Sequence, residues 1–196
     1  MSTNAVPQHK LATRAATRAD LDWVHRYLMR AIDTSPFYND IFKAWEKRRI
    51  SRQFIQDLFA LDPWYVIVFE VDRQRAGFQI SGPDCGALFL YWSYVLEPYR
   101  RSGIAVYGMR RYVEHFDDGN WHKLTTLTRD NNRAAIVIMQ RLGWVEVARL
   151  ENHIFGEDYL QYEFPLTKTR PGYKLLRTSG RRGRLARGLR RVLLRD

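Results

Sequence analysis

Cysteine is almost missing. Cys85 is the only one in 196 residues, so no disulfide can close within the chain, and no His or second Cys stands at metal-ligand spacing from it. A disulfide-stapled scaffold and a cysteine-ligated metal centre are excluded, which leaves an incidental thiol in a reduced compartment. Its segment, "SGPDCGAL", offers only Asp84 as a base, too little for a nucleophilic cysteine. Long apolar runs are missing too. The run "ALFLYWSYVL" at residues 87–96 is half of the about 20 residues a helix needs to cross a bilayer. "MSTNAVPQHK" has no apolar core of the secretory type, so the expectation is a cytoplasmic protein. Gly-Lys-Ser/Thr never occurs, which rules out a Walker-type nucleotide loop.

Acids are scarce in one place only. Residues 167–196 hold eleven Lys/Arg and a single acid, Asp196, whereas the other residues hold 21 basic and 20 acidic side chains. The net charge of +11 is therefore a property of a tail and not of the body, and it is read separately from the fold. Hydrophobic residues at 45% and aromatics at 14% mark the body as a folded globular domain.

The chain alternates between strand and helix signals. A short first strand fits residues 10–16. "TRAD" (residues 17–20) resembles a capping box, and Leu21, Val24, Leu28 and Ile32 then recur at helical spacing, which predicts a helix over residues 20–32. A second helical region covers residues 41–61 with a joint at Ile50-Ser51. "WYVIVFEV" and "AGFQIS" read as a hairpin across "DRQR", and "GPDCG" as punctuation. The run at 87–96 lacks alternation, which predicts a central strand buried on both faces. A helix with its stripe at Ala105, Met109, Tyr112 and Phe116 follows, then the strand "KLTTLT". Asp130 or Asn131 caps a further helix that ends at Gly143, and two strands, "WVEVARLENHIF" and "YLQYEFPL", close the body. A mixed sheet with helices on both faces follows from this order.

The junction "EPYRRSGIAVYGMRRYVEHF" (residues 97–116) carries the chemistry. A helix start presents free amides and the positive end of a dipole, and a glycine loop aims further amides at the same point. Such a cradle suits phosphate. Gly103 and Ala105 leave the amides unshielded, and Arg100 and Arg101 add attraction. A tight strand-to-helix turn with two solvated arginines fits the stretch equally well.

The spacing Arg100-x-x-Gly103-x-Ala105 closely resembles the Gln/Arg-x-x-Gly-x-Gly/Ala loop of the GNAT N-acetyltransferase superfamily. "NNRAAIVIMQRLGW" is similar to that family's Asn-x-x-Ala helix ending in Leu-Gly-aromatic, and "GEDYLQYEFPL" to its final strand. The resemblance covers residues 9–166, with residues 1–8 as a flexible N-terminus and 167–196 as a basic tail. It implies a GNAT-like, mostly antiparallel central sheet whose central strands splay, with acetyl-CoA or another acyl-CoA in the gap. It also implies that the loop Arg100, Arg101, Ser102, Gly103, Ile104 and Ala105 holds the pyrophosphate. The main chain near Val95 would face the pantetheine and thioester, and Asn132 would bond the pantetheine arm. No metal is implied.

The same resemblance exposes a gap. The family's acid, a Tyr seven residues after Asn132, is Met139 here, and a thioether donates no proton. Tyr91, Tyr94 and Tyr159 are alternative acids, unassisted thiolate departure is another route, and a catalytically weak acyl-CoA sensor is a third reading. Glu97, Glu70 and His153 with Glu151 nearby are the candidate bases. The implied acceptor is a primary amine of a small molecule or a protein. The acceptor pocket is expected among Trp23, Tyr27, Phe37, Tyr38, Trp45, Phe155 and Tyr159, whose rings suit a cationic amine. The tail at residues 181–195 places Leu185, Leu189, Val192 and Leu193 opposite its arginines. It suits an anionic membrane surface, with the protein peripheral there, or a nucleic acid. A homodimer is a further expected partner.

Overall fold

A computed structural model describes residues 9–168, 185, 188–192 and 194. Residues 1–8 and most of the basic tail lie outside the described residues. The elements in order are β1 (Leu11–Ala15), α1 (Arg18–Thr34), α2 (Asp40–Arg49), α3 (Arg52–Leu61), β2 (Val66–Val71), β3 (Gln74–Asp84), β4 (Ala87–Val95), α4 (Ile104–Phe116), β5 (Lys123–Arg129), α5 (Arg133–Arg141), β6 (Val145–Ile154) and β7 (Glu157–Pro165).

Local chemistry sets the helix starts. Thr17 caps α1 by donating its amide at 2.8 Å and its hydroxyl at 2.7 Å to Asp20. Asp20 is 0% exposed and also binds Arg14 of β1 at 2.6 Å and Arg75 of β3 at 2.9 Å. Burial alone would raise its carboxyl, but the bonds from Arg14 and Thr17 and the charge of Arg14 outweigh it and hold the group well below the usual carboxylate range. Asn39 and Ser51 cap α2 and α3 by accepting from the amides of Phe42 and Phe54 at 2.9 and 3.2 Å. The chain does break at Ile50-Ser51, where Ile50 is fully buried.

The seven strands form one sheet in the order β1-β2-β3-β4-β5-β7-β6, antiparallel at every junction except β4–β5. Alternation divides its two faces. Phe69, Gly77 and Gln79 face α4: a Cβ on Gly108 of α4 would meet the Phe69 ring at 2.6 Å, and Gln79 Nε2 lies 3.5 Å from Met109 Sδ. Phe78, Ile80 and Gly82 face α1 and α3, with the Trp23 and Phe78 rings edge to face at 6.2 Å and Leu58 against Gly82. The core is thus centred on β2 and β3, buried from both sides as the element order predicts.

Three expectations need correcting. Gly82, Pro83 and Asp84 belong to β3, and the turn is confined to Cys85 and Gly86, both at positive φ. Asn132, not Asp130 or Asn131, caps α5, its Oδ1 accepting from the Ala135 amide at 3.3 Å. The run at 87–96 is a central strand, but only its first half is mostly buried; Ser93 is exposed and the residues around it half-buried. The cause is the departure of its neighbour β5.

Candidate functional site

β4 and β5 pair over only three residues, Leu88–Leu90 against Leu124–Thr126. The Thr126 hydroxyl donates to the Leu90 carbonyl at 2.9 Å, closing that short ladder. Just beyond it, Ile80 pairs with Trp92 and Ser81 with Leu90, so Tyr91 is an extra residue on β4. Such a bulge bends the strand and increases its twist. β4 continues along β3 as far as Val95 opposite Gly77, while β5 continues along β7 as far as Arg129 opposite Tyr159. The two central strands therefore part in a wedge, and residues 91–95 keep a strand on one edge only. An unpaired edge inside a concave site offers main-chain hydrogen bonds to an extended ligand. Gly77 permits the close packing there, since a Cβ would stand 2.3 Å from the Tyr94 carbonyl oxygen.

The start of α4 stands at the end of this edge, after a 3-10 turn at Glu97–Tyr99. Arg101 (φ 84°) and the helix cap Gly103 (φ 86°) both adopt left-handed backbone, and alternation of that kind turns successive amides to one side. Within 101–105 the protein uses two amides itself: Ser102 donates to the Tyr99 carbonyl at 3.1 Å, and Ile104 to Ser102 Oγ at 3.3 Å. The amides of Arg101, Gly103, Ala105 and Val106 have no partner among the described residues. The Ile104 side chain is buried and anchors the loop, and a Cβ on Gly103 would have Leu11 Cδ1 as its nearest neighbour, at 3.8 Å. Arg100 and Arg101 are exposed, Arg100 lying 6.0 Å from the centre of the Tyr94 ring. Across the wedge, the Asn132 amide nitrogen is left without a described partner after its oxygen has capped α5. Met139 is 4% exposed and serves as core.

A second set of groups gathers on the α1–α3 face. Tyr94 lies opposite Phe78 there, and Tyr159 opposite Arg129. Tyr159 is 3% exposed, and its hydroxyl bonds no described residue. Burial pushes that phenol well above the usual tyrosine range; Tyr38 adds to the shift and Arg129 opposes it. Tyr38 itself is pushed up to about 12, first by burial and then by Glu46. The His153 ring meets Tyr159 edge to face at 6.3 Å but is exposed, and Glu97 is exposed in the 3-10 turn.

Sequence reasoning missed Glu46 and Arg129. Glu46 of α2 is 1% exposed and accepts from Trp92 Nε1 at 2.6 Å and from both arms of Arg49 at 2.7 Å. It ties α2 to the diverging half of β4. Its signal was present: Phe42, Glu46 and Ile50 are spaced by four, which places an acid in a buried stripe. Arg129 donates to the Phe37 carbonyl at 2.6 Å and the Asp158 carbonyl at 3.0 Å, and pairs with Glu157 at 2.5 Å. Asn39 Nδ2 also reaches Glu157 and the Phe155 carbonyl, each at 3.2 Å. These bonds strap the α1–α2 loop to the β6–β7 turn beside the wedge.

The model of the acetyltransferase (GNAT) family matches residues 27–144. The chain belongs to this GNAT family. Members use acetyl-CoA as acyl donor. No curated protein matches the sequence. Solved structures share the GNAT fold at low identity. A ribosomal-protein-alanine N-acetyltransferase from Brucella melitensis is 23% identical with TM-score 0.64, covering 79% of this chain and 99% of that one. The ribosomal-protein-S18-alanine N-acetyltransferase of Escherichia coli is 16% identical with TM-score 0.59, covering 83% and 97%. The Salmonella typhimurium protein yncA, solved with its cofactor acetyl-CoA, is 18% identical with TM-score 0.62, covering 82% and 96%. Among the described residues of this GNAT chain, no group of three His, Cys, Asp or Glu side chains can hold a metal ion.

Proposed function

We propose that the protein transfers an acetyl group from acetyl-CoA to a primary amine of a small molecule or a protein. The observation that carries this is the wedge itself: an unpaired β4 edge that runs toward unbonded amides at the start of α4. The groups present fit a pantetheine diphosphate. The amides of Arg101, Gly103, Ala105 and Val106 suit the diphosphate, with Arg100 and Arg101 adding charge; the β4 main chain toward Val95 and the Asn132 amide suit the pantetheine amides. The bound thioester supplies the activated acyl group. Main-chain donors at the β4 edge stabilise negative charge as it develops on the acyl oxygen, since they are fixed before the reaction begins.

The departing thiolate takes up a proton, and Tyr159 Oη is the donor we assign to it. It bonds no described residue, and a phenol whose pKa burial only raises is neutral at neutral pH. Tyr94, on the same face, is the alternative. His153 and Glu97 are the candidate bases; both are exposed, so either takes a proton from the amine through solvent. Two neighbours are named for acting on protein alanine, so the acceptor panel includes peptides with free N-termini beside small amines.

One observation favours a second reading. Met139 is core where the family's acid stands, which suits an acyl-CoA sensor with slow turnover. Thiol release from acetyl-CoA across the panel separates the two. Amine-dependent release supports transfer; tight coenzyme binding with no release under any amine supports the sensor and ends the transferase proposal.

A further inference from the structure

The end of the tail reverses the ordinary arrangement of an amphipathic helix. Residues 188–192 are helical, and their basic side faces the protein. Arg190 Nη1 donates to the Ala60 and Leu61 carbonyls at 3.0 and 3.2 Å, filling acceptors that the last turn of α3 leaves open. Arg191 pairs with Asp57 of α3 at 3.4 Å, and Leu194 packs against the core. The apolar side faces out. Leu185, Leu189 and Val192 are 69%, 65% and 64% exposed, and their spacing of four and three puts them on one stripe. A surface helix normally buries that stripe.

We infer that this outward stripe of Leu185, Leu189 and Val192 docks the protein on the surface of an anionic lipid bilayer. Charge selects the occupant. Residues 167–196 hold eleven Lys/Arg and one acid while the rest of the chain is nearly balanced, so a second copy of the tail is repelled and a negative surface attracted. The apolar stripe selects lipid over nucleic acid, because phosphate contacts need no apolar face. An apolar stripe amid arginines is the composition of a helix that lies in the headgroup region. No described helix is long and apolar enough to cross the membrane, so the contact is with one leaflet. Arg190 and Arg191 are the anchors that fix the helix to α3.

Co-sedimentation of the full chain with vesicles of phosphatidylcholine, with and without phosphatidylglycerol, tests this, with a single-stranded RNA oligomer as a parallel probe. Binding is expected only to the vesicles containing phosphatidylglycerol, and it weakens as salt rises. Replacing Leu185, Leu189 and Val192 together by Ser lowers that binding about 100-fold with the thermal midpoint unchanged, since these side chains are mostly exposed. Absence of vesicle binding, equal binding to neutral vesicles, or unchanged binding by the triple variant overturns the inference. RNA binding that survives the triple variant, in a protein that ignores vesicles, would assign the tail to nucleic acid.

Discussion

Gly103 is two things at once, a left-handed cap and an open place, and two substitutions separate them. Its φ of 86° is costly for any residue with a Cβ, yet the space around it is free. Gly103→Ala is expected to lose about 1 kcal/mol of stability and keep acetyl-CoA binding. Gly103→Glu bears a similar strain but puts a carboxylate among the amides meant for a diphosphate, so binding is lost while the fold survives. Calorimetry on both variants checks this; equal affinity in the two would remove the cradle from the account. Tyr159 makes a different kind of prediction. Tyr159→Phe keeps the buried ring and deletes the unbonded hydroxyl, so kcat falls about 100-fold with little change in KM for acetyl-CoA. Because burial raises the phenol's pKa, the donor stays protonated at neutral pH and is lost only as pH climbs past the ordinary tyrosine value of about 10. Wild-type kcat should therefore show no alkaline limb from this group below about pH 10. Gly103, Asn132 and Tyr159 could be picked from the chain because a local motif or a residue type marks them. Glu46 and Arg129 could not be paired with Trp92 or Phe37, because those partners lie far along the chain and only the fold joins them.

At the level of elements, much of what is decided locally was legible, though the α5 cap was read one or two residues before Asn132. Thr17 with Asp20, Asn39 and Ser51 begin helices through contacts within three residues, and Gly143, at φ 83°, follows the last turn of α5. What depends on a neighbour was not. The run 87–96 reads as doubly buried because its apolar content is continuous, but β5 covers only its first part, and nothing within the run announces the parting at Tyr91. The α1 start shows how a local signal acquires tertiary weight. Asp20 begins as a capping residue and ends as the buried junction of β1, α1 and β3 through Arg14 and Arg75. Asp20→Asn leaves both arginines short of a partner and is expected to cost about 3 kcal/mol. The pH sense follows from the lowered carboxyl. Its contribution is complete above the unfolded carboxyl value of 3.8 and drains away as pH falls below it toward the depressed folded value. Urea midpoints from pH 7 to pH 2 should fall more steeply below about pH 4 in the wild type than in the Asn variant. Parallel curves would mean that other carboxylates dominate acid unfolding.

In the whole molecule the sheet is two parts, β1–β4 and β5–β7–β6, joined along their strands by the three residue pairs of the β4–β5 ladder. A ligand seated in the wedge completes the seam that the strands leave open, so binding and stability should be coupled across the entire fold. At a concentration 100 times Kd, a ligand that binds only the folded state adds about 2.7 kcal/mol. In a domain of this size each kcal/mol moves the midpoint by about 2–4 °C, so acetyl-CoA should raise Tm by about 5–10 °C. Hydrogen exchange should report the same event locally, with slowed amides on the open edge of residues 91–95 and at Arg101, Gly103, Ala105 and Val106, which lack partners among the described residues. Gly103→Glu should abolish the rise and the protection together. The triple Ser variant of Leu185, Leu189 and Val192 should keep both in full, since Arg190 and Arg191 hold that segment to α3. A full rise in Tm without protection at 91–95 would place the coenzyme somewhere other than between the parted strands.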